Sequence, residues 1–395
     1  MNQAAVRCGS DVLQKDGFRE LDGQRVGLLS NLSALDGHLR STYQVLWQAE
    51  EVNLVALFGP EHGFSGAAPD AEQIGFAADP RTGLPVHSLY GATYRPTTAM
   101  FDGIDTLVFD IQDVGVRYYT FTWTLSYVLE AAGEYGVRVV VLDRPNPLGG
   151  AVAGPPLDYP ALSSFVGRFP VPVQHGMTLG ELARLFNAHW NPTPAELTVV
   201  PCQGWGRSKH WPQTGLPWAG PSPNIPRYTA AMQYPGSCLV EGTILSEGRG
   251  TPLPFEVAGA PWIDAVALAD HLNAQAWPGV RCRAHTFQPS ASKWAGQHCG
   301  GVQVYVTDET AWRPIETWLG FLAAIRALYP AEFAWLPPHQ TDVEPGAVHH
   351  FDRLIGSAQV RQQIEAGAGV DEITAGWGAA CAAFEALRAP FLLYD

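Results

Sequence analysis

The apolar residues of this chain fall in short unbroken runs that stop abruptly at polar groups. Residues 26–29 run into Ser30-Asn31, 54–58 into Gly59-Pro60-Glu61-His62-Gly63, 106–109 into Asp110, and 139–142 into Asp143-Arg144-Pro145-Asn146. Unbroken Val, Leu and Phe runs of this length predict strands buried on both faces, as in a parallel sheet. Helix-compatible spacing lies between them at 39–49 and 122–135. Thr178-Leu179-Gly180-Glu181 has the form of a capping box that opens an amphipathic helix reaching about Trp190, and 197–200 predicts another strand. Strand and helix signals thus alternate. The expected fold class is α/β, a Rossmann-like, doubly wound, mainly parallel sheet, with its polar strand tips gathered on the edge where such sheets place ligands.

The stretch 201–235 is rich in Gly, Pro and Trp and has little periodicity, which marks a functional loop or a linker. Beyond it the pattern changes to strands at 279–287 and 301–306 and helices at 312–328 and 371–387. A boundary near 233–236 divides the chain into a Rossmann-like catalytic domain, 1–235, and a smaller α+β C-terminal domain, 236–395, that lends a loop to the cleft. At 395 residues the chain exceeds one typical core, so each domain is expected to bury its own apolar set.

Charge narrows the function. With 24 Lys+Arg against 38 Asp+Glu the net charge is −14, and no basic run stands out, which argues against nucleic acid or a membrane surface as partner. An anionic substrate would need a local arginine cluster working against the average field. Residues 1–8 lack a secretory pattern and no run approaches the ~18 apolar residues of a membrane span, so a cytoplasmic location is expected, or an extracellular or periplasmic one if a leader has been removed. The six scattered cysteines form no CxxC pair and are expected as buried free thiols. No HxH or HExxH spacing predicts a metal, and no cofactor is expected: Leu28-Leu29-Ser30-Asn31-Leu32-Ser33 stands where a dinucleotide-binding glycine fingerprint would be. Ser30 and Ser246 lack the GxSxG context of a serine hydrolase.

The strand tips carry the candidate chemistry. Glu61 lies between glycines and beside Phe58 and Phe64, a setting that suits a general acid. The segment Asp110-Ile111-Gln112-Asp113-Val114-Gly115-Val116-Arg117-Tyr118-Tyr119 packs two acids, a guanidinium and two phenols together; it reads either as a binding loop or as an internal ion pair. Asp143 fits sugar hydroxyls or a structural turn. Glu241, Glu247 and Arg249 stand among glycines just past the boundary, with Glu247 and Arg249 able to reach a ligand and Glu241 placed to hold the hinge. His175 reads as structural, and Trp205, Trp211 and Trp218 as candidates for stacking on sugar rings.

Taken in order, Val26-Gly27-Leu28-Leu29-Ser30-Asn31, Gly59-Pro60-Glu61-His62-Gly63-Phe64, Phe109-Asp110 through Tyr119-Thr120, Leu142-Asp143-Arg144-Pro145-Asn146-Pro147, Ser222-Pro223-Asn224-Ile225-Pro226 and Glu241-Gly242-Thr243 through Thr251-Pro252 span most of the chain. This set resembles the family long known only as a domain of unknown function and now associated with exo-acting β-N-acetylmuramidases. One departure is Ser65, where many relatives are expected to carry arginine. The resemblance implies a Rossmann-like catalytic domain with a smaller C-terminal one, and hydrolysis of terminal N-acetylmuramic acid from peptidoglycan fragments, a small-molecule carbohydrate substrate. Glycoside hydrolysis needs an acid at the leaving oxygen and a second group. Glu61 is the expected acid; the second role stays open among Asp113, Asp110, Glu247 and the substrate's own acetamido group. Arg117, Arg144 and Arg249 are the candidates for the lactyl carboxylate, and Asn31, His62, Tyr118, Asp143 and Asn224 complete the expected substrate contacts. Two other classes compete: a non-catalytic muropeptide-binding protein, and a nucleotide-linked Rossmann enzyme.

Overall fold

The computed structural model describes residues 6–64, 77–339 and 346–395. Ser65, and residues 1–5 of the segment read for a leader, lie outside the described residues. In chain order the strands are Arg25–Ser30 (β1), Asn53–Gly59 (β2), Ala77–Ala78 (β3), Pro85–Ser88 (β4), Thr106–Asp110 (β5), Arg138–Leu142 (β6), Ala153–Pro156 (β7), Pro172–Gln174 (β8), Leu197–Val200 (β9), Val257–Ala260 (β10), Val280–Phe287 (β11) and Cys299–Val306 (β12). The main sheet runs β3-β4-β2-β1-β5-β6-β9, with every neighbouring pair parallel except β3 with β4. Strand order therefore reverses at the parallel β1/β5 pair, with β2 and β4 added on one side and β6 and β9 on the other, and Ser30 lies beside Asp110 there. This switch point is where a doubly wound sheet opens a crevice at the carboxyl ends of its strands.

Helices cover both faces, which is why the strands read as unbroken apolar runs. Gly9–Lys15 (α1) and Thr42–Gln48 (α2) close one face over Leu28, Leu57, Val108 and Val140. Phe121–Tyr135 (α3) and Leu179–His189 (α4) close the other over Leu29, Phe58, Phe109 and Val141. The capping box of α4 is complete: Thr178 Oγ1 accepts from Glu181 N at 3.3 Å, and Glu181 Oε2 accepts from Thr178 N at 3.0 Å. The short helix Trp211–Thr214 (α5) interrupts the irregular stretch before Tyr228–Ser237 (α6).

The C-terminal part is α+β, as expected: the antiparallel sheet β10-β12-β11 with Ala265–Ala274 (α7) and Pro314–Leu328 (α8), followed by His350–Ile355 (α9), Ala358–Ala366 (α10), Val370–Thr374 (α11) and Trp377–Arg388 (α12). The helix expected over 371–387 is two, because the chain breaks at Ala375-Gly376. One continuous cluster runs from Phe109 and Trp123 through Tyr234 and Phe255 to Trp318 and Phe351. The expected boundary at 233–236 falls inside α6, whose Tyr234 and Pro235 carbonyls receive the Tyr118 hydroxyl.

Arg117 stitches this joint. Its guanidinium is fully buried and meets carbonyls instead of a carboxylate: Nη1 donates to Pro155 O at 2.9 Å and Val171 O at 2.7 Å, and Nη2 donates to Leu354 O of α9 at 2.8 Å. Gly356, at φ +83°, lets α9 end against it; a Cβ there would lie 2.5 Å from Nη2. Replacing Arg117 with Met would strand those carbonyls without donors. We expect a loss of about 2 to 4 kcal/mol in unfolding free energy, read as a lower urea midpoint; a midpoint unchanged from wild type would show that the joint does not depend on this group.

Candidate functional site

The Glu61 turn is set by its backbone. Gly59 ends β2 where a Cβ would fall 2.5 Å from Phe64 N, and Gly63 N donates back to Pro60 O at 2.9 Å. His62 takes φ +69° and Gly63 φ +74°, so the turn doubles back sharply, burying His62 and leaving Glu61 partly open. Thr120, at the start of α3, donates through Oγ1 to Glu61 Oε2 at 2.6 Å. Among the described residues Glu61 has no cationic partner.

Glu61 faces a cavity of about 260 Å³ that it lines with His62, Tyr118, Tyr119, Thr120, Phe121, Tyr234 and Phe255. Asn224, Glu241, Arg249 and His350 line this cavity and also a wider one of about 700 Å³, to which Glu247, Ser292, Lys293 and His339 contribute. The two form one cleft between the N-terminal sheet edge and the C-terminal part. Asn31 acts behind it: its Nδ2 donates to Pro221 O at 3.1 Å and its Oδ1 accepts from Ser33, which ties the loop bearing Ser222 and Asn224 to the tip of β1.

The far wall is a charged chain. Arg249 Nη1 lies 2.6 Å from Glu241 Oε1 and 3.3 Å from Glu247 Oε1, Lys293 Nζ lies 2.9 Å from Glu247 Oε2, and His350 Nε2 lies 3.7 Å from Glu241 Oε2. Burial works against ionisation of Glu241, yet the Arg249 guanidinium and the His350 imidazole hold its carboxyl below the usual carboxylate range. Lys293 also donates to the carbonyls of Thr243, Val240 and Glu241, so this wall is rigid.

Of the residues expected from sequence, the structure brings Glu61, His62, Tyr118, Asn224, Glu247 and Arg249 to the cleft. The others lie behind it. Asp110 is fully buried, gripped by Arg144 through Nε at 2.5 Å and Nη2 at 3.0 Å and by the Thr42 hydroxyl, so neither Asp110 nor Arg144 is presented to a ligand. Asp143 accepts from Thr178, Gly180 and Tyr394, fastening the start of α4 and the chain's C-terminal residues; burial pushes its carboxyl up to about 6. Arg117 is committed to carbonyls. Asp113 accepts from Gly115 N at 2.6 Å and lies 3.7 Å from His175 Nε2, away from both cavities. Trp205, Trp211 and Trp218 pack against Tyr394 and one another, outside the cleft lining. Five of the six cysteines are buried and all are free thiols.

Sequence reading missed Thr120, Lys293, His339 and His350 as cleft residues, and gave Glu241 only a hinge role. Thr120 stood inside a motif already singled out; the others carry no local pattern. Among the described residues no group of His, Cys, Asp and Glu is placed to hold a metal ion, and no helix is long and apolar enough to cross a membrane.

A doubly wound α/β unit joined to a smaller α+β unit across a cleft with carboxylates on both walls is an arrangement compatible with glycoside hydrolysis. The chain belongs to the exo-β-N-acetylmuramidase NamZ family: its N-terminal family model matches residues 26–229 and its C-terminal one residues 232–394. The peptidoglycan β-N-acetylmuramidase NamZ of Bacillus subtilis is 42% identical over 389 residues, covering 98% of this chain and 91% of that protein. Two DUF1343 family proteins of Bacteroides fragilis have crystal structures of the same fold. One, 36% identical, superposes with a TM-score of 0.89 over 100% of both chains; the other, 32% identical, with 0.76 over 99% of both.

The Asp113–His175 contact makes a stability prediction. Burial pushes Asp113 up to about 7 and His175 down to about 3, so both are held toward their neutral forms. Native Asp113 keeps a proton that the unfolded chain releases, so its contribution declines as pH rises from about 4 to about 7. Burial of His175 acts oppositely, lowering stability as pH falls below 6.5 toward about 3. Asp113→Asn removes only the first effect. Urea unfolding should show the variant gaining on wild type between about pH 4 and 7, and a difference independent of pH would contradict this account.

Proposed function

We propose that the protein is an exo-acting hydrolase that releases terminal β-linked N-acetylmuramic acid from peptidoglycan fragments, with Glu61 as general acid. Its partner across the cleft is Glu241, in place of the buried Asp110 and Asp113. One observation carries this reading: the two carboxyl groups that share the smaller cavity have opposite surroundings. Glu61 meets a hydroxyl and no cation among the described residues, whereas Glu241 meets a guanidinium and an imidazole. Divergent environments are how one site keeps an acid able to protonate the leaving oxygen beside an anion able to steady an oxocarbenium ion or activate water. The NamZ relative acts on peptidoglycan, and the aromatic walls of the smaller cavity suit a single sugar with an acetamido methyl. Arg249 lines both cavities and is the cation placed to meet the lactyl carboxylate.

A chromogenic β-N-acetylmuramide whose leaving group is a weakly acidic phenol that departs with a proton, and the matching N-acetylglucosaminide, test the assignment. Wild type should release the chromophore from the muramide in preference, and Glu61→Gln and Glu241→Gln should each lower kcat by about 10²- to 10⁴-fold. No turnover of the muramide by wild type would reject the activity; an undiminished Glu61→Gln would reject the acid.

A further inference from the structure

Thr120 occupies the N-cap position of α3 and does not cap it. Its backbone is already helical, at φ −66° and ψ −21°, and no hydrogen bond joins its side chain to the first turn. A capping threonine normally takes an extended conformation and accepts from the N–H groups ahead of it, which stabilises the first turn. Here the hydroxyl turns away from the helix and across to Glu61 Oε2. Both ends of that bond are anchored. Glu61 sits in the turn closed by Gly63 N on Pro60 O, and Thr120 follows Arg117, whose N–H donates to Val173 O, and Tyr118, whose hydroxyl is tied to α6.

We propose that Thr120 is the positioning residue that makes Oε1 of Glu61 the proton-donating oxygen. The proposal rests on Glu61 acting as the acid. While the carboxyl is neutral, a hydroxyl that donates to Oε2 leaves the proton to Oε1 and holds the carboxyl's orientation. As that proton passes to the glycosidic oxygen, the C–O bond to the leaving group breaks, its electron pair stays on that oxygen, and the anomeric carbon is left with oxocarbenium character for water to capture. Glu61 becomes a carboxylate, and the Thr120 bond becomes charge-assisted. Such a bond is stronger in the transition state than before it, so its loss is felt in kcat more than in KM.

The test varies the leaving group. A β-N-acetylmuramide of N-acetylglucosamine needs a proton on the departing oxygen, whereas the 2,4-dinitrophenyl β-N-acetylmuramide leaves as a stable anion. Thr120→Val should lower kcat on the disaccharide by about 10- to 100-fold with KM nearly unchanged, and should leave the dinitrophenyl substrate close to wild type. Thr120→Ser should restore the disaccharide rate to within about threefold. Thr120→Ala, which also removes the branched methyl, should follow Thr120→Val. Glu61→Gln separates the two claims. If it spares the dinitrophenyl substrate while Thr120→Val and Thr120→Ala lose both substrates equally, the hydroxyl serves structure only and the inference fails. If Glu61→Gln itself loses both equally, the assignment of Glu61 as acid falls, and this inference with it.

Discussion

A guanidinium buried without a carboxylate is the constraint on which the arrangement of the cleft depends. Burial pulls Arg117 down to about 10, so it still carries its charge at neutral pH and must find acceptors in a place water does not reach. It finds backbone carbonyls from the β7 strand, from Val171 before β8 and from the end of α9. Those segments must therefore converge on one point. α9 begins with His350, which lines the cleft, and Arg117 is followed directly by Tyr118, Tyr119 and Thr120, which line it from the other side. The Arg117 carbonyl accepts from Trp123 Nε1 at 2.7 Å, which fixes α3 to the same point. A group that never meets the ligand thus sets the distance between the walls that do.

The same logic holds along the strand tips. Asp110, Asp143 and Arg144 have the residue types of a ligand site, yet each is saturated by protein partners far away in sequence: Thr42 and Leu35 for the first pair, Thr178 and Tyr394 for Asp143. A carboxylate at the buried end of a strand must be paired, because leaving it unpaired costs more than most single interactions return. These tips spend their polarity holding loops. The loops then carry Glu61, Thr120 and Asn224 outward to where solvent and substrate arrive.

This explains what was legible in the sequence. Buried parallel strands announce themselves, since Leu28 and Leu29 must both be apolar when helices cover both faces. The capping box at Thr178 was readable because its two halves are three residues apart. The turn that carries Glu61 was readable because it is local, built from Gly59 and Gly63. The partners of Arg117 and Asp110 were not readable for the opposite reason: whether a polar group faces a ligand or a protein atom depends on residues such as Leu354, 237 residues downstream, that no local pattern reveals. Lys293 and His350 fell outside the reading entirely, since each reaches the cleft from an element with no motif of its own.

Charge balance across the cleft follows from the same packing. A protein of net charge −14 repels an anion, and two carboxylates on one wall of the cleft concentrate that charge locally. Among the described residues, Glu241 and Glu247 are matched there by Arg249 and Lys293. Lys293 is fixed by Glu247 and three carbonyls and lines only the wider cavity, while Arg249 reaches both. On the proposed reading, a sugar carboxylate in the smaller cavity meets the guanidinium and draws it from Glu241. Glu241 would then depend on the His350 imidazole alone to stay ionised against its burial. The pairing that neutralises the empty cleft would in this way be exchanged for one between the guanidinium and the sugar carboxylate.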